Sequence, residues 1–179
     1  MLLFLTVLLA CHATSAQSVT DEAQDFGVAP SAELKLGDHA SATPLAVPGA
    51  RRILTTELRQ RLQAPIEERP LLLDVLSDEH ASLPGAIWIP GAGLGSGFDD
   101  ALQARLGGFL RFMTAGDPGR ELVFLCVGPR CWLSYNAALR AVRLGYTNVL
   151  WYRGGIEAWG ASGGALRVPR VAWERPPQD

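Results

Sequence analysis

From residue 51 onward, the chain alternates short apolar runs with segments whose apolar positions recur at helical spacing. The run Pro70–Leu76 is apolar except for Asp74, as in a strand that is buried on both faces. Ile87–Ile89 and Leu122–Cys126 are two further runs of this kind. This alternation predicts an α/β fold with three layers, in which helices cover both faces of a mostly parallel central sheet.

Two helices can be placed by their start signals. Thr55 is a predicted N-cap for a short helix that reaches Leu62. Asp99 and Asp100 suit the start of a second helix, because acidic side chains favour helix N-termini. That helix carries an apolar stripe, which we interpret as core packing: Leu102, Leu106, Phe109, Leu110 and Met113.

Three segments lack a regular pattern. Residues 17–50 are rich in Ala, Ser, Pro and Gly, which predicts an irregular N-terminal arm or linker, and residues 166–179 are a predicted C-terminal tail. Residues 91–98, GAGLGSGF, lack the Lys-Ser/Thr of a phosphate loop and are predicted to form a surface loop. Residues 51–165 remain as one domain.

The first residues have the pattern of an export leader. An apolar core ends in the small residues 14–16, Thr-Ser-Ala, so residues 1–16 are a predicted signal peptide. Leu8–Cys11 also fits a lipoprotein box that would acylate Cys11, and the core has no Lys or Arg before it. The apolar run is shorter than the ~20 residues of a spanning helix. Either leader predicts a periplasmic domain, with membrane attachment only if Cys11 is lipidated.

Composition limits the classes of ligand and partner that the sequence predicts. The 179 residues are 48% hydrophobic and 19% charged, with a net charge of -2, so no basic surplus points to nucleic acid. Outside the leader, the cysteines are Cys126 and Cys131, which an oxidising compartment can join. His39 and His80 do not stand at ligand spacing from this pair, and no metal site is predicted.

The candidate chemistry lies between residues 122 and 132. A buried strand ends on Cys126, a short loop turns, and a helix begins near Trp132. Amide N–H groups of the loop and of the first helical turn can converge on the sulfur and favour a negative charge there. Such surroundings lower a cysteine pKa from about 8.5 to roughly 3.5–7.5. Cys126 is either a reactive thiolate or a small apolar residue at a strand end, and the local pattern leaves both readings open.

Four segments, in order, resemble the rhodanese-like domains over roughly residues 50–165. They are the strand Leu72–Val75 with its Asp, the turn Leu83–Ile87, Cys126 at the position of the family nucleophile, and the turn and helix Tyr152–Trp159. The resemblance implies that Cys126 takes sulfane sulfur from a donor such as thiosulfate and holds it as a persulfide. An acceptor thiol or cyanide would then receive the sulfur.

The same resemblance implies roles for the loop residues. A cradle for the outer sulfur would be formed by the N–H groups of Val127, Gly128, Arg130, Cys131 and Trp132. Pro129 has no N–H to donate. Arg130 would contact a donor sulfonate or remain solvated, and Asp74 would support the structure by holding backbone donors.

Cys131 has two possible roles. If its Cα lies within about 4.4–6.8 Å of that of Cys126, the two can form a disulfide. Cys131 would then resolve a persulfide, or the pair would cycle as a dithiol. Otherwise Cys131 points into the core at the helix start.

The chain also departs from the family pattern. Gly128 and Pro129 alter the turn where many members read C-x-x-G, Leu76 replaces a common Arg, and Ser82 replaces a common His. The C-x5-R loop of related cysteine phosphatases and arsenate reductases is missing its Arg, because Trp132 stands there. Phosphate ester hydrolysis is therefore disfavoured.

A narrower resemblance rests on CWLSYNAA at residues 131–138 and WYRGG at residues 151–155. These segments are similar to the PQQ-dependent catabolism-associated CXXCW-motif proteins. That likeness implies an exported protein that is associated with periplasmic quinoprotein dehydrogenases and has no tightly bound cofactor. The sequence thus leaves a sulfurtransferase and a non-catalytic or thiol-redox accessory protein as the two functions to be compared.

Overall fold

The computed structural model describes residues 21–174, and the predicted leader lies outside this range. Within it, six parallel strands form one sheet in the order β1-β5-β4-β2-β3-β6. The strands are β1 (Arg51–Arg52), β2 (Leu71–Asp74), β3 (Ile87–Trp88), β4 (Leu122–Leu125), β5 (Val149–Tyr152) and β6 (Arg170–Val171). The helices are α1 (Thr55–Arg61), α2 (Ala101–Met113), α3 (Trp132–Arg143) and α4 (Gly155–Ala161). The predicted α/β fold with a parallel sheet is confirmed.

Two apolar clusters separate the three layers. The first packs the sheet against α2 and α3 and includes Leu106, Tyr135 and Phe124. The second packs the opposite face against α1 and α4 and includes Leu58 and Trp159. Because successive side chains of a strand alternate between faces, the central strands β2, β4 and β5 each contribute to both clusters.

All the strands end at the same edge of the sheet, because they are parallel. At this edge Asp74, Leu125 and Tyr152 lie in one register across β2, β4 and β5. The chain leaves β4 there and enters the loop that precedes α3. The predicted reactive segment therefore lies at the carboxyl edge of the sheet, where parallel α/β folds place their sites.

The predicted cap of α1 is wrong, whereas the predicted start of α2 after Asp99 and Asp100 is confirmed. Leu54 is the N-cap of α1 and makes no side-chain cap bond, and Thr55 is already helical. The buried Thr55 hydroxyl instead hydrogen-bonds with the Tyr152 hydroxyl at 2.7 Å and donates to the Glu22 carboxylate at 2.7 Å. At α2, the Asp100 side chain accepts the N–H of Gln103 at 2.7 Å.

The domain continues beyond residue 165. Residues 170–171 of the predicted tail form β6, which pairs with β3 at one edge of the sheet. Trp173 is buried in the α2/α3 cluster, and its Nε1–H donates to the Pro90 carbonyl at 3.1 Å. Two-residue strands carry too short a pattern to be recognised from sequence, which is why this segment resembles a tail.

The glycine-rich segment is only partly a surface loop. Residues 91–93 are buried, and the Gly93 carbonyl accepts the side-chain amide of Asn136 at 2.9 Å. Arg140, which is fully buried, donates to the carbonyls of Leu94 and Gly97. The prediction failed for the first half of this segment because two polar side chains of α3 satisfy its backbone.

The arm at residues 21–50 has no helix or strand beyond the 3-10 turn Asp21–Ala23 and an isolated bridge between Val47 and Ala50. It lies against α3, where Tyr135 and Asn136 hydrogen-bond with arm backbone groups at 2.7–2.9 Å. None of the helices within residues 21–174 has the length and apolar character that crossing a membrane requires.

Candidate active site at the cysteine loop

Cys126 and Cys131 are joined in a disulfide that closes the loop between β4 and α3. Their Cα atoms lie 6.2 Å apart, within the range that a disulfide allows. Cys126 directly follows β4, and Cys131 is the N-cap of α3, with no side-chain cap hydrogen bond. Cys126 is 1% exposed and Cys131 is 5% exposed. In this oxidised state neither sulfur can ionise, so a nucleophile first requires reduction.

Two of the five predicted cradle amides are already used. The N–H of Cys131 donates to the Gly128 carbonyl at 3.1 Å, and that of Trp132 donates to the His39 carbonyl at 2.9 Å. The three remaining N–H groups donate to no other atom of residues 21–174; they belong to Val127, Gly128 and Arg130. The amides available to a bound anion are therefore those of the first part of the loop and of Arg130.

The start of α4 holds the start of the loop. The carbonyls of Cys126 and Val127 accept the N–H groups of Ile156 and Glu157 at 3.0 and 2.9 Å. These amides belong to the first turn of α4, where helix N–H groups lack intrahelical partners. The Cys126 backbone is thereby fixed between the end of β4 and the first turn of α4.

The N-terminal arm lies across the other end of the loop. Thr43 donates its N–H and its hydroxyl to the Pro129 carbonyl, at 3.1 and 2.7 Å. The indole Nε1–H of Trp132 donates to the Ala42 carbonyl at 3.1 Å. Together with the bond to His39, these contacts place the segment His39–Thr43 over the loop that carries the disulfide.

Arg153 is a structural centre of the site that our sequence analysis did not identify. Its side chain is 1% exposed, and burial followed by the charge of Arg52 lowers its pKa. Nε donates to the Thr43 hydroxyl and Nη2 to the Thr43 carbonyl, each at 3.0 Å. Nη1 lies 3.0 Å from three arm carbonyls, those of Asp21, Glu22 and Gln24. The sequence signal that could have identified Arg153 is its position as a charged residue directly after the buried run VLWY.

Arg130 contacts the arm and is exposed. Its guanidinium lies over the ring of Phe26 at 4.5 Å, and Arg153 lies over the same ring at 4.8 Å. Cation–π contacts of this kind hold Phe26 against both arginines. A donor sulfonate would therefore compete with the Phe26 ring for the Arg130 guanidinium.

Asp74 does not share a face with Cys126. Its neighbours Leu73 and Val75 belong to the cluster that contains Cys126, so the Asp74 side chain points to the opposite face. Oδ1 accepts the N–H of Leu76 at 3.0 Å, and Oδ2 accepts the Ser82 hydroxyl. These contacts hold the turn that follows β2.

His80 completes the Asp74 cluster. Its Nε2 lies 2.6 Å from Asp74 Oδ2, and its Nδ1 lies 2.6 Å from the Asp78 carbonyl. Burial lowers the pKa of His80, but the hydrogen bond and charge of Asp74 outweigh it, so the pKa lies above 6.5. Within residues 21–174, the side-chain partners of Asp74 are therefore Ser82 and His80.

Trp132 packs inside the protein. Its ring contacts that of Tyr135 edge-on at 4.8 Å, and Tyr135 contacts Trp151 in the same way at 5.4 Å. All three rings are buried in the α2/α3 cluster. These rings belong to the same apolar cluster as the two cysteines.

An acidic surface cavity of about 250 Å³ lies beside the loop. It is lined by Asp21, Glu22, Pro129, Gly154, Glu157, Ala158 and Ala161. Glu157 directs its carboxylate toward Gly128, where a β-carbon would overlap it. Negative charge therefore surrounds one approach to the loop. Within residues 21–174, no three His, Cys, Asp or Glu side chains are grouped as a metal site.

The chain matches one protein family by sequence and several solved structures by fold. The family described as "Rhodanese-like domain" matches residues 54–162. A thiosulfate sulfurtransferase from Pseudomonas aeruginosa has a TM-score of 0.50 at 21% identity, over 69% of this chain and 22% of its own. Wild-type EanB has a TM-score of 0.51 at 18% identity, over 69% of this chain and 32% of its own.

These solved structures share the fold of the chain, which spans less than a third of their lengths. No curated protein matches the chain.

Proposed function

Because this chain belongs to the rhodanese-like domain family, we propose that Cys126 carries sulfane sulfur and that Cys131 resolves the persulfide. The observation that carries this proposal is the bond between the two sulfurs at the carboxyl edge of the sheet. A cysteine that can bond to Cys126 in the folded protein is within reach of a persulfide formed there.

The reaction starts from the reduced protein. The Cys126 thiolate attacks the outer sulfur of thiosulfate, a new S–S bond forms, and sulfite leaves with the electron pair of the broken S–S bond. An acceptor thiolate then attacks the outer sulfur and becomes a persulfide, and the Cys126 thiolate leaves with the electron pair of the broken S–S bond. Alternatively, the Cys131 thiol attacks Cys126 Sγ, which forms the internal disulfide and releases hydrosulfide with the Cys131 proton. A dithiol reductant, which becomes a disulfide itself, restores the two thiols.

The local electrostatics support an anion at Cys126. The N–H groups of Val127, Gly128 and Arg130 have no partner within residues 21–174, and they flank the sulfur along the chain. The N-cap of α3, Cys131, follows five residues later, and the helix adds its positive dipole end. One fold-level neighbour is a thiosulfate sulfurtransferase, and one structure of EanB is described as a cysteine persulfide.

A second candidate is a thiol-redox accessory protein. It is favoured by the 1% exposure of Cys126 and by the arm segment that lies over the loop. In this function the pair would exchange electrons with a partner dithiol, without holding sulfane sulfur. The two candidates differ in whether a persulfide forms on the reduced protein.

Intact-mass analysis separates the candidates. The protein without its predicted leader, residues 17–179, is reduced. The reductant is removed, and the protein is incubated with thiosulfate. We expect one added sulfur atom on Cys131→Ser, because this variant cannot resolve the persulfide, and none on Cys126→Ser. The wild type should release sulfide and return to the internal disulfide. A fully reduced, folded Cys131→Ser protein that gains no sulfur would contradict sulfur transfer and favour the redox function.

We also propose export and an association with periplasmic PQQ-dependent alcohol oxidation. Support comes from the leader pattern and from the segments at 131–138 and 151–155, although four residues rather than two separate the cysteines. N-terminal sequencing of the protein from its native envelope tests export, with Gln17 expected first after signal-peptide cleavage. Calorimetric titration with a purified quinoprotein alcohol dehydrogenase tests the association, and absence of binding would contradict it.

A further inference from the structure

The contacts between the arm and the loop surround Cys131 on both sides. Thr43 binds the carbonyl of Pro129, two residues before Cys131, through two hydrogen bonds. Trp132, directly after Cys131, donates its backbone N–H to His39 and its indole N–H to Ala42. The four donor–acceptor distances are 2.7–3.1 Å. The docked position of the arm therefore depends on where the loop holds Pro129 and Trp132.

The disulfide fixes the positions of the Pro129 carbonyl and the Trp132 backbone N–H. Cys131 lies between them and is bonded to Cys126, whose own carbonyl is held by the N–H of Ile156. Opening the S–S bond removes the covalent link that holds Cys131 and the loop before it against the end of β4, whereas Trp132 keeps its packing in the α2/α3 cluster. The carbonyl and the N–H that the arm recognises are then free to separate.

Thr43 is also held from the side of the sheet. Arg153 directly follows β5 and donates to both the hydroxyl and the carbonyl of Thr43, so its contacts do not pass through the disulfide. The Thr43 hydroxyl thus accepts from Arg153 and donates to Pro129. Thr43 therefore connects this fixed anchor to the disulfide loop through hydrogen bonds on both sides.

We propose that the segment His39–Thr43 is a redox-linked gate on the sulfur site. The gate is closed on the oxidised loop, where Cys126 is 1% exposed. Reduction of the disulfide weakens its docking and opens the path by which a sulfur donor reaches Cys126. The admission of the donor rests on the proposed function, whereas the coupling between gate and disulfide does not.

Coupling of this kind is reciprocal. If the gate binds the oxidised loop more tightly than the reduced loop, then weakening the gate favours reduction by the same factor. The reductant is a dithiol: one thiolate attacks a sulfur of the pair and expels the other as a thiolate. The second thiol of the reductant then closes its own disulfide and releases the remaining cysteine.

Substitution of Thr43 tests the gate. Thr43→Val removes the hydroxyl and keeps the shape, whereas Thr43→Ser keeps the hydroxyl and serves as the matched control. We expect the dithiothreitol-to-protein disulfide equilibrium to shift toward reduced protein in Thr43→Val, several-fold and up to about tenfold, as for the lost hydrogen bond from the Thr43 hydroxyl to the Pro129 carbonyl. Thr43→Ser should remain near the wild type. Equal equilibria in all three proteins would overturn the proposal.

Hydrogen exchange tests the same coupling without substitution. The amides of Thr43 and Trp132 should exchange slowly in oxidised wild-type protein and at least several-fold faster after reduction. Equal protection of these amides in both states would overturn the gate. Neither measurement uses a sulfur donor, so a failed gate and a failed sulfur transfer give different results.

Discussion

The α-carbon of Gly155 packs directly against the backbone carbonyl of Cys126. A β-carbon at residue 155 would overlap this carbonyl oxygen and the adjacent carbonyl group of Val127. Gly155 also has a φ of +59°, in the left-handed region that glycine adopts without strain. The close approach lets the N–H of Ile156 reach the Cys126 carbonyl.

Gly155→Ala should therefore destabilise the protein more than the backbone conformation alone requires. We expect the free energy of unfolding to fall by about 2–4 kcal/mol, since the substitution adds overlap with fixed backbone to the left-handed strain. Gly163→Ala is the matched control, because Gly163 has a φ of +77° but open space around its α-carbon. It should cost about 1–2 kcal/mol. Urea denaturation measures both, and equal losses would contradict the tight contact.

This contact also explains why the turn after β5 was recognisable from sequence. Gly155 is required by packing against backbone, and a β-carbon at Gly154 would overlap the side chains of Glu22 and Ala158. Such local requirements leave a fixed residue pattern. The buried runs of β2 and β4 were predicted for a similar reason, because both of their faces are covered by helices. The sheet direction followed from the alternation of these runs with helices.

The contacts of the N-terminal arm with the site were not predictable in the same way. Its contacts join residues about 90 to 130 positions apart, such as Trp132 with Ala42 and Arg153 with Asp21. They involve backbone carbonyls, which every residue has, so the arm carries no pattern that identifies its partner. Thr55 failed as a predicted cap for a related reason, since a distant hydroxyl, that of Tyr152, binds its side chain.

Glu157 should slow the approach of an anionic donor. Its carboxylate lies against Gly128 at the acidic cavity, and it is exposed. We expect Glu157→Gln, in a reduced Cys131→Ser background, to take up sulfur from thiosulfate about two- to threefold faster at low ionic strength. The gain should shrink as salt is added, because salt screens exposed charges.

Glu67→Gln is the control for this change, since Glu67 is also exposed and does not line the acidic cavity. It should leave the rate of sulfur uptake unchanged. A rate for Glu157→Gln that equals that of the control would mean that thiosulfate approaches from another side.

Arg140 should be a large contributor to stability. Its buried guanidinium binds both oxygens of Asp100 at 2.8 and 3.0 Å and three further acceptors, the Gln103 side chain and the carbonyls of Leu94 and Gly97. Burial raises the pKa of Asp100, but the hydrogen bonds from Arg140 and from the backbone N–H groups of Gln103 and Ser96, with the charge of Arg140, outweigh it and lower the pKa to about 2. The carboxylate is thus charged at neutral pH and needs this partner.

Arg140→Lys should lower the free energy of unfolding by about 2–4 kcal/mol, because one ammonium group cannot reach all five acceptors. Arg111→Lys, on the exposed side of α2, should change it by less than about 0.5 kcal/mol. In a double-mutant cycle, Arg140→Lys should cost less when Asp100 is already Asn. Full additivity in denaturant unfolding would show that the Asp100 pair contributes little.

His80 should make the protein less stable as the pH rises above neutrality. The pKa of His80 is raised above 6.5, because the Asp74 hydrogen bond and charge outweigh the effect of burial. A raised pKa means that the folded protein binds the proton more tightly than the unfolded chain does. The stabilisation is therefore fully present below pH 6.5 and is lost as the pH rises through the folded pKa.

His80→Gln should remove this part of the pH dependence. Between about pH 6 and about pH 8, the urea midpoint of the wild type should fall more steeply than that of the variant. In NMR titration of the wild type, the His80 ring protons should report a pKa above 6.5. Parallel pH profiles for the two proteins would mean that the folded and unfolded states bind the His80 proton equally, and that the hydrogen bond and charge of Asp74 do not raise the pKa of His80.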